Sequence, residues 1–358
     1  MNLPEWKGDK LHIDSDIGKL DGHQRTYNLI VTEREAGKST LLWKKVYNNF
    51  KRKGHPSIIF RRYAADFNDD YIKGIQDTIF QFTGLDINFE YKKSQFTGGI
   101  TSLYVEGQLF CQLISLNVDV SRLKLMRTNN VNYFMYDEFI CNKRLGEKYL
   151  IDEPFKIKEL YTTLIRYTDK IKIYFFGNPY SLYNPFFSDL KVNTNDLYPG
   201  AFVVKNDYAI WCYQIKPELK EKILQKNPLY KFDNAYKEYA FDGRAIQDKD
   251  IRIEQIQPNN FSLSYVFKLK GKYIGVFRGF IMRPEPLFYW CKILEPKEIS
   301  SRRDVICFDF GEMVNRTVLY NNKGRLLYQS FKEAIERRYV AYASTEESWL
   351  IEEIYQEL

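Results

Sequence analysis

The sequence predicts an α/β fold for roughly the first two thirds of the chain, followed by a smaller α+β domain. From residue 27 onward, apolar runs of strand length alternate with helical stretches, which is the pattern of a mainly parallel sheet covered on both faces. After residue 255, alternating runs separated by turn signals predict a meander of strands. The chain has 358 residues, 44% of them hydrophobic and 28% charged, so it is long enough and apolar enough for two folded domains.

The elements predicted for the first domain, residues 1–213, follow in a regular order. Residues 1–26 are polar and are expected to form an arm that leads into the first strand. Strand character is found at 27–31, 57–61, 132–136, 171–176 and 202–213. Helical stretches are predicted at 40–52, beyond 61 as far as about 82, and at 157–166. Residues 88–116 alternate apolar and polar side chains around two turns, which predicts antiparallel hairpins.

The composition changes after the last of these strands. Residues 214–255 are polar and charged, with a helical stretch at 216–226, and are predicted to form a linker or a small helical subdomain. Residues 256–358 are predicted to form the second domain. Its expected strands lie at 261–269, 273–281, 288–293 and 304–310, and its expected helix at 329–339.

The strongest local signal is a loop between the first strand and the first long helix. A strand, a turn ending in Gly37-Lys38-Ser39 and then a helix presents several N–H groups to a triphosphate. Lys38 is placed to reach the β- and γ-phosphates, and Ser39 to bind Mg²⁺. The candidate nucleotide-binding residues are Thr32, Glu33, Arg34, Glu35, Ala36, Gly37, Lys38, Ser39 and Thr40. The alternative is an ordinary surface turn, because Thr32 replaces the first glycine of the G-x-x-x-x-G-K-[ST] pattern.

Two carboxylates follow a later apolar strand. Asp137 and Glu138 come directly after the run Tyr133–Tyr136. Free carboxylates at a buried strand end are costly, so they need a cation or hydrogen-bond donors. Asp137 is a candidate ligand of Mg²⁺, and Glu138 a candidate for activating water; the alternative is an ordinary acidic pair between a strand and a loop. Asn178 ends the next strand and is a candidate for sensing the γ-phosphate or holding that water; the alternative is a turn residue before Pro179.

Two arginines extend the predicted site. Arg166 closes a predicted helix and is a candidate arginine finger for a neighbouring subunit, with a helix C-cap cation as the alternative. Arg34 is a candidate for contacting phosphate or a neighbouring subunit, or for an ion pair with Glu33 or Glu35. Together these residues predict an ATPase that uses ATP and Mg²⁺.

Charge and composition narrow the functional classes. The net charge of +7 favours a polyanionic partner, and residues 255–340 carry 15 Lys and Arg against 8 Asp and Glu. The candidate nucleic-acid contacts, with a solvated surface as the alternative, are Arg122, Lys124, Arg127, Arg302 and Arg303. The five cysteines and three histidines are scattered, which argues against zinc ribbons and a disulfide framework. The strands predicted between 261 and 293 have no acidic residue in their interiors, so we expect no nuclease activity.

Four short segments stand in an order that points to one family. They are IIFRRY at 58–63, YDEFI at 136–140, TLIR at 163–166 and the GNP…YNPFF run at 177–187. With the P-loop, they resemble the genome-packaging ATPases of the small phi29-type tailed phages. The resemblance covers most of residues 27–190 and continues weakly through 238–255. It implies an additional-strand P-loop ATPase domain and a degenerate, RNase H-like nuclease domain that binds nucleic acid.

The same resemblance implies a function and partners. The chain is expected to act as a ring, of five subunits, that pumps double-stranded DNA through the portal of a procapsid; whether a structural RNA joins the motor is left open. By this resemblance, Lys38 and Ser39 bind the nucleotide and Mg²⁺, and Asp137 holds the metal. Glu138 matches the residue that activates water, and Arg166 matches the trans-acting arginine finger. Asn178 matches the sensor position, and Arg34 matches an arginine in the P-loop. Thr32 and Glu35 stand where the family usually has glycines, which affects the expected P-loop geometry.

Two other classes of function are compatible with parts of this pattern. A helicase or a nuclease-bearing terminase subunit would use the same P-loop but would unwind DNA or cut it. A nucleotide-gated scaffold or RNA-binding module would bind ATP without turnover stimulated by DNA. The chain begins without an apolar signal segment and has no apolar run that could span a bilayer. We therefore expect no membrane partner, a place in the host cytoplasm, transient residence at the portal vertex and absence from the mature virion.

Overall fold

The structure is a computed structural model, and it describes residues 3–8, 11–13, 16–23, 25–94, 99–118, 130–142, 145–164, 171–182, 184–228, 230, 237, 240–241, 252–280, 288–299, 305–307, 317–318, 329–335, 337 and 339–357. The chain divides into two compact units. The first contains residues 1–182 and 195–246, and the second contains residues 183–194 and 247–358. Within the described part of the chain, no helix has both the length and the apolar character needed to cross a bilayer.

The first unit is built on a large sheet. Its strands are β1 (Tyr27–Thr32), β2 (Ser57–Arg61), β3 (Glu90–Lys93), β4 (Ile100–Val105), β5 (Gln108–Ser115), β6 (Tyr133–Asp137), β7 (Lys172–Gly177), β8 (Phe202–Val204) and β9 (Tyr208–Tyr213). Their order in the sheet is β3-β4-β5-β2-β6-β7-β1-β9-β8. The run from β5 to β9 is parallel, whereas β3, β4 and β5 form antiparallel hairpins and β8 pairs antiparallel with β9. The predicted parallel core and hairpins are therefore confirmed, and the predicted strand 202–213 is two strands.

One strand separates the P-loop strand from the acidic strand. β7 pairs in parallel with β1 on one side and with β6 on the other, so Phe175 lies opposite both Leu29 and Tyr136. Because the three strands are parallel, their carboxyl ends meet at one edge of the sheet, where the P-loop, Asn178 and Asp137 begin. This inserted strand is the feature for which additional-strand P-loop ATPases are named, so the predicted fold class is confirmed.

Eight α-helical segments of at least four consecutive residues are present in the described residues. In chain order they are α1 (Gly18–Asp21), α2 (Lys38–Lys53), α3 (Asp69–Thr83), α4 (Glu153–Leu164), α5 (Pro185–Asp189), α6 (Pro217–Lys226), α7 (329–335) and α8 (Thr345–Glu357). α2 begins after Gly37 and ends at Gly54, both in the left-handed conformation that glycine adopts without strain. The Asn68 side chain caps α3 by accepting from the Tyr71 N–H, and Gly84 ends it.

The described N-terminal residues contribute to the core of the first unit, which differs from the polar arm expected from the sequence. Leu3, Ile13 and Leu20 are buried members of its core. Trp6 is also buried and stacks on Phe82, with ring centroids 5.2 Å apart. This burial could not be predicted from the sequence, because the apolar residues are separated by polar ones and do not recur with the period of a strand or a helix.

The second unit contains a second sheet and its own core. Its strands are β10 (Arg252–Ile253), β11 (Ser262–Leu269), β12 (Lys272–Gly279), β13 (Phe288–Leu294), β14 (Val305–Cys307), β15 (Thr317–Val318) and β16 (Val340–Tyr342), in the order β10-β16-β13-β12-β11-β14-β15. β11, β12 and β13 form the predicted antiparallel meander, and β14 and β15 continue it in parallel. This sheet is a meander extended by parallel strands beside its first strand; the RNase H-like fold and the vestigial nuclease character of the domain stay predictions.

The boundary between the units lies inside the predicted linker. α6 and the described residues as far as Phe241 belong to the first unit, and the second unit resumes at residue 247. The interpretation of 214–255 as a separate subdomain stays a prediction. Leu219 and Ile223, on one face of α6, are buried in the core of the first unit.

Candidate functional site

The P-loop turns sharply between β1 and α2. Gly37 has a φ of 91°, and a Cβ added to it would come within 3.0 Å of the His12 ring. Glu35 also lies in the left-handed region, with a φ of 61°, which is uncommon for a residue other than glycine. The loop thereby delivers the chain to the N-terminus of a 16-residue helix, whose free N–H groups favour a bound anion.

The Lys38 ammonium is held at the sheet edge by three uncharged oxygens. It donates to the carbonyls of Thr32 (3.1 Å) and Glu33 (2.8 Å) and to Oδ1 of Asn178 (2.6 Å). Burial lowers the pKa of Lys38 to about 8, although the carboxylates of Asp137, Glu138 and Glu33 oppose the change. Carbonyl and amide oxygens orient the ammonium without neutralising it, so its positive charge remains available to a bound anion.

Asn178 belongs to a short hydrogen-bonded network. Its Nδ2 donates to the Tyr180 hydroxyl at 3.1 Å, while its Oδ1 accepts from Lys38. Arg34 donates to the same Tyr180 hydroxyl through Nη2 (2.9 Å) and Nε (3.2 Å). The structure thus brings together the predicted residues Lys38, Asn178 and Arg34, and adds Tyr180, which sequence reasoning missed. The only hint was its place two residues after Asn178.

The acidic pair at the end of β6 is paired with an arginine. Arg61 donates to Oδ2 of Asp137 through Nη2 (2.7 Å) and Nε (3.2 Å), and its Nη2 lies 3.5 Å from Oε2 of Glu138. The Asp137 side chain is buried, whereas the Glu138 side chain is 55% exposed. Desolvation and the neighbouring Asp137 carboxylate raise the pKa of Glu138, and Arg61 partly offsets them. A carboxylate with a raised pKa is a better acceptor for a proton from water.

A buried ion pair fixes the backbone around Glu138. Glu138 has a φ of 61°, and the Arg62 guanidinium donates to its carbonyl and to that of Phe139. Arg62 also pairs with Glu153, whose side chain is fully buried, at 3.0 Å. Glu153 accepts a further hydrogen bond from the Tyr136 hydroxyl. These contacts hold a strained residue in place, so Arg62 and Glu153 position Glu138 without facing the nucleotide.

A cavity of about 520 Å³ adjoins the P-loop. This volume lies within the range of nucleotide and cofactor sites. Its lining residues are Leu11, His12, Glu35, Gly37, Lys38, Ser39, Thr40, Gln81, Leu219, Lys222, Ile223 and Lys226. The P-loop residues therefore open onto a space that has an apolar side, which is the kind of surface a nucleotide base requires.

Two residues of the site, Ser39 and Asp137, have side chains that suit Mg²⁺ in the manner of P-loop enzymes. Among the described residues, no group of three or more His, Cys, Asp and Glu side chains could hold a metal alone. Mg²⁺ is usually held by one or two protein oxygens with phosphates and waters, which the Ser39 hydroxyl and the Asp137 carboxylate can supply.

Two P-loop carboxylates, those of Glu33 and Glu35, make contacts that glycine could not make, whereas Thr32 and Ala36 are buried without such a contact among the described residues. Thr32 is buried, and its hydroxyl has no hydrogen-bond partner among the described residues. The buried Glu33 carboxylate accepts from the Ile215 N–H at 2.9 Å, and Glu35 accepts from the Tyr230 hydroxyl at 2.9 Å. Ala36, which precedes Gly37, is fully buried in the core.

Six predicted site residues lie outside the described residues. They are Arg166, Arg122, Lys124, Arg127, Arg302 and Arg303. Their roles stay predictions, as do the roles assigned to the other site residues. Sequence reasoning missed Arg61 as the partner of the acidic pair, and it missed Glu153 as the partner of Arg62. The IIFRRY segment contained Arg61, but nothing in the sequence linked it to residues 76 positions away.

Comparisons of sequence and of structure both find similarity to phage DNA packaging proteins. The profile of the podovirus DNA encapsidation protein (Gp16) family matches residues 13–296. The DNA packaging proteins of Bacillus phage phi29 and Bacillus phage PZA are 23% and 26% identical to this chain over 273 residues, covering 73% of it and 75% of each relative. In fold, the chain is similar to one in the bacteriophage Phi-29 viral genome packaging motor assembly, with a TM-score of 0.64, 19% identity and 99% of each chain covered.

Proposed function

The chain belongs to the podovirus DNA encapsidation protein (Gp16) family, and from that premise we propose that it is the ATP-hydrolysing subunit of a motor that packages double-stranded phage DNA. The observation that carries the proposal is the meeting of three groups at one sheet edge: the Lys38 ammonium, the Asn178 side chain and the Asp137–Glu138 pair. The names of the relatives, DNA packaging proteins and a packaging motor assembly, support DNA as the cargo.

The roles of the site residues follow from their chemistry. Lys38 and the N–H groups at the start of α2 would bind the phosphates of ATP. Ser39 and Asp137 would hold Mg²⁺, which neutralises charge on the transferring phosphoryl group. Glu138 would orient and deprotonate the attacking water, and its raised pKa favours that task.

Asn178 would report on the nucleotide through Lys38. Its Oδ1 accepts a hydrogen bond from Lys38, so a γ-phosphate that draws the ammonium away leaves this oxygen free for water. Its Nδ2 remains bonded to Tyr180, which also accepts from Arg34. A change at Lys38 would therefore reach Arg34, which is a candidate for contact with a neighbouring subunit.

The assembly would be a ring on the portal of an empty procapsid. We propose five subunits, with Arg166 of one acting on ATP bound to the next. DNA would be gripped mainly through its phosphates, so binding would depend strongly on salt and little on sequence. The motor would work in the host cytoplasm, reside only transiently at the portal vertex and be absent from the mature virion. A structural RNA is a further candidate partner.

The proposal is tested by ATP hydrolysis in the presence of procapsids, with and without double-stranded DNA, across a salt series. The isosteric variant Glu138→Gln is expected to bind ATP and to lose hydrolysis by a factor of about 10² to 10⁴, as for removal of a general base. Lys38→Ala should lose ATP binding. Glu90→Gln, at an exposed position on the edge strand β3, is the matched control and should behave as wild type. ATP binding without any hydrolysis, even with DNA and procapsids, would exclude the motor and leave a nucleotide-gated scaffold.

A further inference from the structure

The P-loop is tied to a later segment of the first unit. This segment, here the brace, comprises the described residues between Ile215 and Phe241. Three hydrogen bonds join it to consecutive P-loop residues: Ile215 N–H to Glu33 Oε2 (2.9 Å), Tyr230 hydroxyl to Glu35 Oε1 (2.9 Å), and Arg34 N–H to the Ala240 carbonyl (3.3 Å). Two of these bonds are made by the Glu33 and Glu35 side chains and one by the Arg34 N–H, so residues 33–35 of the P-loop are tied to the position of the brace.

The attachment of the brace is reinforced from within. Tyr230 is 4% exposed and packs edge-on against Phe241, with ring centroids 4.8 Å apart. Lys220, on α6, donates to the Phe241 carbonyl at 3.2 Å. Lys216, just before α6, forms an ion pair with Asp16 at 2.9 Å. The brace is thus a packed element with a defined position relative to the P-loop.

One face of α6 lines the same cavity as the P-loop. The residues on that face are Leu219, Lys222, Ile223 and Lys226, which stand at positions i, i+3, i+4 and i+7 of the helix. Leu219 and Ile223 are buried and give this side of the cavity an apolar surface. Lys222 and Lys226 are exposed, and neither forms an ion pair with another described residue. Two cations beside an anion-binding loop match a ligand with several negative charges.

We propose that α6 forms a wall of the nucleotide site, with Lys222 and Lys226 contacting bound ATP and with the Glu35–Tyr230 and Glu33–Ile215 hydrogen bonds positioning the helix. This inference rests on the proposed binding of ATP by the P-loop. Occupancy of the site and attachment of the brace are then linked, because a nucleotide that contacts both elements binds best when they are joined.

The first test measures the affinity for a non-hydrolysable ATP analogue. Lys222→Ala is expected to bind it about tenfold more weakly, the effect of losing one hydrogen bond to a charged group, and the double variant with Lys226→Ala more weakly still. Lys222→Arg should restore most of the affinity, because it retains the charge. Lys73→Ala is the matched control: Lys73 is an exposed lysine on α3 that does not line the cavity.

The second test addresses positioning. Tyr230→Phe removes only the hydroxyl that reaches Glu35 and is expected to weaken nucleotide binding several-fold. Hydrogen exchange at the amides of 217–226 should slow when the analogue binds to wild type, and less so in Tyr230→Phe. A purely structural role for Tyr230 would lower the unfolding temperature without changing this nucleotide-dependent protection.

The outcomes separate the two proposals. If Lys38→Ala abolishes binding while Lys222→Ala and Tyr230→Phe bind as wild type, the inference about α6 is wrong and the P-loop ATPase stands. If wild type binds no nucleotide, both are wrong.

Discussion

Raising the pH from 7 to 9 is expected to weaken nucleotide binding about tenfold through the titration of one group, Lys38. Its ammonium lies among carbonyl and amide oxygens, and burial lowers its pKa from 10.5 to about 8. Nearby carboxylates reduce this effect without cancelling it. The net lowering corresponds to roughly 3 kcal/mol against the charged form, after the carboxylates have offset part of the cost of burial.

The direction of this pH effect depends on which protonation state of Lys38 the nucleotide binds. Polyphosphate stabilises the ammonium, so the pKa of Lys38 rises on binding and the complex keeps its proton over the whole range. The free protein loses that proton as the pH passes about 8. Affinity should therefore be nearly constant below pH 7, about twofold weaker at pH 8 and about tenfold weaker at pH 9, since a lowered population of the competent form lowers affinity in proportion.

The assay combines affinity with proton counting. Titration with a non-hydrolysable ATP analogue gives the dissociation constant at each pH. Calorimetry at pH 8 in two buffers of different ionisation enthalpy should detect uptake of about half a proton per nucleotide, because about half of the free protein is then deprotonated. Lys38→Arg is the control, since arginine does not titrate in this range and reports the pH dependence of the ligand alone.

Two results would refute the reasoning. An affinity independent of pH between 7 and 9 would mean that Lys38 stays charged in the free protein, so that its carbonyl and amide partners compensate for burial. An equal slope in wild type and Lys38→Arg would assign the titration to another group.

Three further predictions concern the framework of the site. Glu153→Gln leaves the buried Arg62 guanidinium without a counter-ion and should lower the free energy of unfolding in urea by about 3–5 kcal/mol, whereas an exposed Glu→Gln change should have little effect. Gly177→Ala places a Cβ 2.8 Å from the Phe139 ring and should cost about 1–3 kcal/mol by the same measurement; an unchanged midpoint would mean that the ring moves aside at no cost. Thr32→Val exchanges a buried hydroxyl, which has no partner among the described residues, for a methyl group. It should be neutral or stabilising by up to about 1 kcal/mol in thermal unfolding, so a large loss would reveal a further partner for the hydroxyl.

The elements that carry the site could be predicted because local signals mark them. β1 and β6 are apolar runs that end at a glycine-lysine turn and at paired acids, and both begin and end within one residue of the predicted bounds. Parallel pairing then places their carboxyl ends at one edge, which is why Lys38, Asp137 and Asn178 were expected together. The meander of the second unit was predictable for the same reason, since alternation and turn signals are local.

The partners of these residues could not be predicted, because they come from distant parts of the chain. Arg61 meets Asp137 only because β2 lies beside β6 in the sheet, and no local pattern specifies that neighbour. Tyr230 and Ile215 lie in a stretch whose polar composition indicates a linker, although they contact the P-loop. Composition reports how much of a segment can be buried, not which loop it meets.

The P-loop illustrates how side chains can replace glycines in fixing a backbone. Glycine is favoured at positive φ because it has no Cβ, yet Glu35 adopts a φ of 61° here. Such a conformation costs on the order of 1 kcal/mol for a residue other than glycine, and the hydrogen bond from Tyr230 to the Glu35 carboxylate can offset it. At Thr32 the loop needs no glycine, because this residue still belongs to β1 and pairs with Tyr213. At Gly37 a glycine cannot be replaced in this way, because a Cβ there would press against His12. The departure from the glycine pattern therefore replaces intrinsic flexibility with contacts to a second segment, and makes the loop's geometry depend on that segment staying in place.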